Sequence, residues 1–339
     1  MPGHDIVVVG ASAGGVETLI KLIEKLPADL PASVFVVLHI PPQNPSLMPG
    51  ILSRSGSLKA VHPRDGEAIQ QGCIYVAPPD LHLLVEQEHV HLLRGPKENR
   101  HRPAIDPLFR SAAAAYGPRV VGVVLTGSLD DGTAGLLAIK RLGGVAIVQD
   151  PEDALYPSMP LNALRHVNVD YKLPVSEIGP LITHLAYEPV DKEGAYHVPE
   201  EMEIEMRIAE MNMNALNNGE HAGTPSVFSC PECGGVLWEI KDGELARFRC
   251  RVGHAYSIES MMAAQSERVE EALWAALKTL EESVSLSRRL ADQARERGQD
   301  WLAQRFEEKL QDAQQRAEMI RSALFKDKTL PSADMAAQA

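Results

Sequence analysis

Three short polar segments, each placed directly after a β-branched run, carry the residue types of nucleophilic catalysis. Gly10-Ala-Ser12-Ala-Gly14-Gly15 follows Ile6–Val9, His39 follows Val34–Leu38, and Thr126-Gly-Ser-Leu-Asp130-Asp131-Gly132 follows Val120–Leu125. A histidine can take the serine proton. A carboxylate, from Asp130 or Asp131, can then fix the imidazole tautomer and stabilise its charged form. Gly10-x-Ser12-x-Gly14 suits the sharp strand-to-helix turn that exposes a nucleophilic Oγ. Backbone N–H groups at the start of the following helix, from Ala13, Gly14 and Gly15, can face a developing oxyanion.

Each residue also has a simpler reading. The glycine turn could bind phosphate, but Ser12 stands where G-x-G-x-x-G needs its second glycine, and the Walker lysine is missing. His39 could be a satisfied strand-end histidine, and either aspartate could cap the next helix. Taken together at three strand ends, the residues favour a triad. Their order, Ser then His then Asp, is not that of an ordinary α/β-hydrolase.

A second constellation lies far along the chain. Cys230-Pro-Glu-Cys233-Gly-Gly235 is followed by Cys250-Arg-Val-Gly-His254, with sixteen residues between Cys233 and Cys250. Two thiolates on a tight turn, completed by a Cys-x3-His pair, make a four-ligand set for one tetrahedral ion. Val236–Ile240 and Ala246–Arg249, around Lys241-Asp-Gly243, predict a hairpin joining the two ligand pairs. A segment of this length has too little core to fold unaided, which favours a structural zinc with no open coordination position. Arg247, Arg249 and Arg251 flank the third ligand, and their expected state is solvated charge. Cys73 is expected to be a buried core thiol.

The elements that must position these groups follow from the pattern of apolar residues. Ile6–Val9, Val34–Leu38, Val120–Leu125 and Val145–Val148 are near-continuous apolar runs, as in strands buried on both faces, and Ile74–Val76 is a shorter one. Helical spacing occupies Val16–Lys25 and Thr133–Leu142 between them. This alternation predicts an α/β fold with a doubly wound, mostly parallel sheet, whose ligands bind beyond the strand carboxyl ends. His82–Leu93 alternates apolar and polar residues, as a hairpin arm does. Residues 191–225 carry a net charge of −6, nearly half the chain's total of −13, and read as an acidic linker with room for one short helix. Two long helical patterns, about 259–297 and 299–325, meet at Gly298. One apolar face has Val269, Leu273, Leu277, Leu280 and Val284; the other has Leu302, Phe306, Leu310, Ala313, Ala317, Ile320 and Leu324. They predict an antiparallel helical hairpin or coiled coil. The expected domains are therefore 1–190 catalytic, 191–225 linker, 226–258 zinc-ribbon-like, 259–325 helical hairpin, and 326–339 a disordered tail.

Composition narrows the function classes. The chain has 339 residues, 45% of them hydrophobic and 23% charged, as in an ordinary globular protein. No apolar run approaches the ~18 residues of a membrane span, and Met1-Pro-Gly-His-Asp lacks the basic start of a signal peptide. A net charge of −13 argues against a nucleic-acid partner. Four cysteines, three of them within 21 residues, point to one metal site in a reducing, cytoplasmic compartment rather than a disulfide framework.

Val8-Val-Gly-Ala-Ser12-Ala-Gly-Gly15, Leu38-His39-Ile-Pro-Pro42 and Leu125-Thr-Gly-Ser-Leu-Asp-Asp131-Gly132 resemble the three active-site blocks of the CheB family, the chemotaxis protein-glutamate methylesterases. Ile74-Tyr-Val-Ala-Pro-Pro-Asp-Leu-His82, Arg102-Pro-Ala-Ile-Asp-Pro-Leu-Phe109 and Met159-Pro160 agree, in collinear order over roughly 5–185. The resemblance implies Ser12 as nucleophile, His39 as base and Asp131, directly before Gly132, as its orienting carboxylate. Met159 joins Ala13, Gly14 and Gly15 as a candidate for the oxyanion and substrate loops. The implied reaction is hydrolysis of glutamyl γ-methyl esters on methylated chemoreceptor helices, with glutamine deamidation as a second family activity and no catalytic cofactor. Two departures stand out. Ala13 and Ser128 replace residues that are often Thr and Met, which bears on substrate preference and rate. The catalytic strand also begins at residue 5, so control by the family's usual N-terminal receiver domain is not expected. The zinc module and hairpin are then expected to dock a methyltransferase or another signalling protein. The competing readings are a non-catalytic signalling scaffold and a serine esterase acting on a small ester.

Overall fold

The fold, a computed structural model, describes residues 3–42, 45–190, 196–210 and 222–326. Its contacts divide it into two compact units, 1–261 and 262–339. The Cys/His segment belongs to the first unit. Of the tail assigned to 326–339, all but the first residue lies outside the described residues, as do 191–195 and 211–221 of the linker.

The first unit is built on strands β1 (Ile6–Ala11), β2 (Ser33–Leu38), β3 (Lys59–Val61), β4 (Cys73–Val76), β7 (Val120–Val124), β8 (Val145–Gln149) and β9 (Tyr171–Leu173). They form one sheet in the order β3-β4-β2-β1-β7-β8-β9, with every neighbouring pair parallel. Their near-continuous Val and Ile content follows from burial on both faces. Val7, Val9, Val34, Val36 and Val121 pack to one side with α1 (Gly15–Ile23), α2 (Met48–Ser55) and α6 (Val175–Tyr187). Ile6, Val8, Phe35, Val37 and Val124 point the other way, against α3 (Ile105–Tyr116), α4 (Thr133–Arg141) and α5 (Ser158–His166). The chain turns from one side of the sheet to the other at β1/β7, which makes the carboxyl ends of β2, β1 and β7 the expected ligand crevice. His82–Val85 and Val90–Leu93 form the hairpin β5–β6.

Gly10, next to last in β1, lies hard against α3. A Cβ there would lie 2.4 Å from Ile105 Cγ2 and 2.8 Å from its Cδ1. Gly10→Ala is therefore expected to overpack this contact and cost ~1–3 kcal/mol, read as a lower midpoint in thermal melting.

Within the acidic stretch, α7 (Glu200–Ala209) buries Met202, Glu205 and Ile208. The four-stranded antiparallel sheet β10 (Thr224–Ser229), β11 (Val236–Asp242), β12 (Leu245–Cys250) and β13 (Ala255–Ser257) follows. Its β11–β12 hairpin turns at Gly243, whose φ of +68° favours glycine. Cys73, expected to be buried, is half-buried at the start of β4.

Most of α8 (Ile258–Glu296) and all of α9 (Asp300–Lys326) make up the second unit. Gly298, at φ +69°, turns the chain between them. Leu277, Ala317 and Leu324 form the seam with Leu273, Leu280 and Ile320, and Arg321 bonds Glu281 across it at 2.7 Å. The pairing of residues near 277 with those near 320 makes the helices antiparallel. Val269 stands 60% exposed, so the seam does not extend to it. Among the described residues no helix is long and apolar enough to cross a membrane.

Candidate active site

The three segments singled out at the strand ends converge. β1 ends at Ala11, and a turn carries Ser12 to the start of α1. Gly14 caps that helix at φ +71°, a conformation suited to glycine, with Leu155 and Tyr156 3.1–3.3 Å from where its Cβ would be. His39 follows β2, and Asp131 lies in the turn between β7 and α4. Ser12 Oγ lies 3.0 Å from His39 Nδ1, and His39 Nε2 lies 2.7 Å from Asp131 Oδ2. The ring thus accepts from the serine at Nδ1 and donates to the carboxylate from Nε2. Asp130, the alternative carboxylate, faces away and accepts from Ser257 Oγ at 2.6 Å; burial pushes its pKa up to about 7.

Asp131 is saturated with donors. Ile105 N–H reaches Oδ2 at 2.8 Å; Asn99 Nδ2 and Asp106 N–H reach Oδ1 at 2.9 and 3.3 Å. Two of these donors are the first amides of α3, where the helix dipole favours negative charge. Burial opposes the charge of Asp131, but the hydrogen bond and charge of His39, with Ile105 and Asn99, hold its carboxyl well below the usual carboxylate range. Asp106 goes the other way, raised by burial and by the neighbouring Asp131 charge. It accepts from Gly135 N–H at 2.7 Å and from Asn99 Nδ2 at 2.8 Å. His101 stacks on His39 with ring centroids 3.7 Å apart. Burial and the His39 charge lower its pKa to about 3, so it covers the His39 ring as a neutral one.

The four oxyanion and loop candidates separate. Gly15 N–H donates to Ser12 O at 2.9 Å and so is already used in starting α1. Met159 is fully buried, its N–H on Gly127 O at 3.0 Å and its sulfur 2.1 Å from where a Cβ on Gly127 would stand. It packs beneath the turn and offers no donor. Ser12 N–H is likewise spent, on Thr126 O at 3.0 Å. Ala13 and Gly14 remain. Thr126 Oγ1 ties the Ser12 turn to the loop carrying Leu155 and Tyr156, donating to Ala13 O at 3.1 Å and accepting from Tyr156 N–H at 2.9 Å.

Asn99, His101 and Thr126 were not singled out as site residues from the sequence. Asn99 and His101 sit in an aperiodic loop, while Asp106 lies inside the Arg102–Phe109 block, whose role is now visible as the amide cradle of Asp131.

The second constellation also converges. The ligand atoms of Cys230, Cys233, Cys250 and His254 lie within 4.8 Å of one another. Cys233 Sγ and Cys250 Sγ are 3.7 Å apart, and His254 Nδ1 is 3.7 Å from Cys230 Sγ and 3.6 Å from Cys250 Sγ. A tetrahedral ion with metal–sulfur bonds of ~2.3 Å and metal–nitrogen bonds of ~2.0 Å requires edges of about 3.5–3.8 Å, which these three separations match. Gly234 N–H donates to Cys230 O at 2.8 Å and Gly253 N–H to Cys250 O at 2.9 Å, closing a tight turn at each ligand pair.

The arginines beside the third ligand correct an expectation. Arg247 and Arg249 are buried rather than solvated. Arg249 reaches Glu98 at 2.9 Å and Glu205 at 3.2 Å; Arg247 bonds Glu205 at 2.8 Å and also pairs with Asp242. Glu98 bonds Arg110 as well, at 2.8 Å. Burial opposes the charges of Glu98 and Glu205, but their arginines hold both carboxyls below the usual range. Their contribution is complete above that range and is lost as pH falls through the depressed folded values. Glu98→Ala strands the buried Arg110 guanidinium, takes one of two carboxylates from Arg249, and is expected to cost ~3–5 kcal/mol in denaturant unfolding at neutral pH.

A doubly wound parallel sheet brings serine, histidine and aspartate, bonded in sequence, to three adjacent strand ends. The family model described as CheB methylesterase matches residues 7–182. The chain belongs to the CheB methylesterase family. It is 35% identical over 183 residues to protein-glutamate methylesterase/protein-glutamine glutaminase 2 of Methanosarcina mazei, covering 52% of this chain and 50% of that protein. It is 36% identical over 183 residues to a putative protein-glutamate methylesterase/protein-glutamine glutaminase of Leptospira interrogans, covering 54% of this chain and 95% of that protein. The chain thus spans about half the length of the first relative and nearly all of the second. The Thermotoga maritima CheB methylesterase catalytic domain superposes with a TM-score of 0.52 at 34% identity, over 53% of this chain and 98% of that one. The Cys/His module and the helical pair lie beyond the residues that the family model matches.

Proposed function

We propose that the protein hydrolyses glutamyl γ-methyl esters on chemoreceptor helices, with Ser12 as nucleophile, His39 as base and Asp131 as its orienting carboxylate. The observation that carries this reading is the His39 ring bonded at 3.0 Å to Ser12 Oγ and at 2.7 Å to Asp131. As Ser12 Oγ attacks the ester carbonyl, its proton passes to His39 Nδ1, and Asp131 stabilises the imidazolium. The Ala13 and Gly14 amides, not spent as those of Ser12 and Gly15 are, face the oxyanion. His39 returns the proton to the departing methoxide, giving methanol and a glutamyl ester on Ser12. Water, deprotonated by the same ring, then releases the glutamate carboxylate.

Leu155, 71% exposed, and Tyr156, 40% exposed, form an apolar rim beside Gly14 and suit a protein surface better than a small ester. We assign the Cys230–Cys233–Cys250–His254 group to a structural Zn²⁺, because all four positions are filled by protein ligands.

Wild-type enzyme should be given a methylated chemoreceptor fragment, the same fragment with glutamine at the methylated sites, and a small activated ester. Methanol from the first supports the proposal, and ammonia from the second adds the glutaminase activity. Turnover of the small ester alone would replace the proposed substrate, and binding of the fragment without any turnover would favour a scaffold.

A further inference from the structure

The 96–101 loop, which carries Asn99 and His101, is held from one side by the Cys/His module. Glu98 pairs with Ala255 in a parallel bridge, Asn99 N–H donates to Ala255 O at 2.8 Å, and Ala255 N–H donates to Lys97 O at 3.2 Å. Asn99 takes a left-handed φ of +48°, which asparagine tolerates better than most residues. Its side chain then joins two parts of the molecule. The carbonyl oxygen accepts from Ser257 N–H at 3.0 Å and Ser260 Oγ at 3.1 Å. With both donors on that oxygen, the NH₂ group must face the other way. There its two hydrogens meet Asp131 at 2.9 Å and Asp106 at 2.8 Å. Asn99 and Ser257 are each at most 6% exposed and Ser260 is fully buried, so water does not compete for these bonds.

We propose that Ser257 and Ser260, at the junction of β13 and α8, are positioning residues for the esterase: through the Ser257 backbone N–H and the Ser260 hydroxyl they lock the Asn99 amide, which holds Asp131 in register with His39. Resting on the triad reading above, this makes the module part of the catalytic apparatus of this chain, although it lies outside residues 7–182 of the family match. It also ties the metal group to the active site through the backbone, since His254 directly precedes Ala255 and β13 pairs with β12, which ends at Cys250. Asp130 strengthens the same seam by accepting from Ser257 Oγ.

The test is a double-mutant cycle between Ser260→Ala, which removes the side-chain donor to the Asn99 oxygen, and Asn99→Ala in the full-length, zinc-loaded protein. Two quantities are read. One is kcat and KM on the methylated receptor fragment; the other is the low-field proton resonance of the His39 Nε2–H hydrogen bond to Asp131, which needs no turnover. With the Asn99 amide unlocked, loss of its hydrogen bond to the charged Asp131 corresponds to about a 10- to 100-fold fall in kcat. The serine variant should show such a fall with KM unchanged, bound zinc retained and the His39 resonance displaced. On the Asn99→Ala background the Ser260 change should have little further effect. Asn99→Asp, which keeps the shape and the backbone preference but replaces both donors by an acceptor, should be the more damaging single change. An undisplaced resonance in the serine variant, or serine effects fully additive with Asn99→Ala, would overturn the proposal. A displaced resonance in an enzyme that releases no methanol would instead support the relay and remove the methylesterase reading.

Discussion

Asp131→Asn is expected to lower kcat by about 10⁴-fold while leaving KM nearly unchanged, a loss typical of an orienting carboxylate turned to amide. The local geometry makes the substitution especially unforgiving. Both carboxylate oxygens of Asp131 accept only: Oδ2 from His39 and Ile105, Oδ1 from Asn99 and Asp106. An asparagine must turn its NH₂ toward one of these donor pairs. Facing His39, it forces the ring into the tautomer with its proton on Nδ1, which can no longer accept from Ser12. Facing Asn99, it opposes two donors and drives Asp131 out of line. Steady-state kinetics on a methylated fragment, with circular dichroism to verify the fold, measures the effect. A kcat within tenfold of wild type would mean that Asp131 does not set the histidine tautomer.

Cys250→Ser is expected to release the metal and open the module, with effects reaching the esterase. Structural zinc in small domains contributes ~10–16 kcal/mol of apparent binding free energy at neutral pH, against which one lost thiolate is severe. Cys250 ends β12, next to Arg249, so its loss also loosens a buried arginine between Glu98 and Glu205. The expected result is less than one zinc per chain by native mass spectrometry, a lower melting midpoint, and a kcat reduced in parallel. A variant with unchanged metal content and unchanged melting would show that this Cys/His group is no metal site.

Much of this was legible from residue order. β1, β2 and β7 could be read because strands buried on both faces leave unbroken Val and Ile runs, and Ser12, His39 and the pair Asp130-Asp131 then stand at their ends by position; the choice of Asp131 came from the resemblance to the CheB blocks. Cys230, Cys233, Cys250 and His254 could be read because ligand spacing is local. Arg247 and Arg249 could not. Nothing near them in the chain distinguishes a solvated arginine from one buried against Glu98, 151 residues away. Asn99 escaped for the same reason, since its donors and acceptors come from three separate segments. The helix α3 was hidden by Pro107 and a run of alanines, yet its first amides hold Asp131. Val269 shows the converse limit: helical spacing identified an apolar face but could not say where the seam between the two helices ends.

The most direct measurement is methanol release from a methylated chemoreceptor fragment by wild type and by Ser12→Ala, side by side. The account predicts methanol in step with new glutamyl carboxylates for wild type, and a fall of several orders of magnitude, to the blank, for Ser12→Ala. A Ser12→Ala enzyme that kept the wild-type rate would contradict it, because the ester would then be opened without the serine to which His39 and Asp131 are bonded.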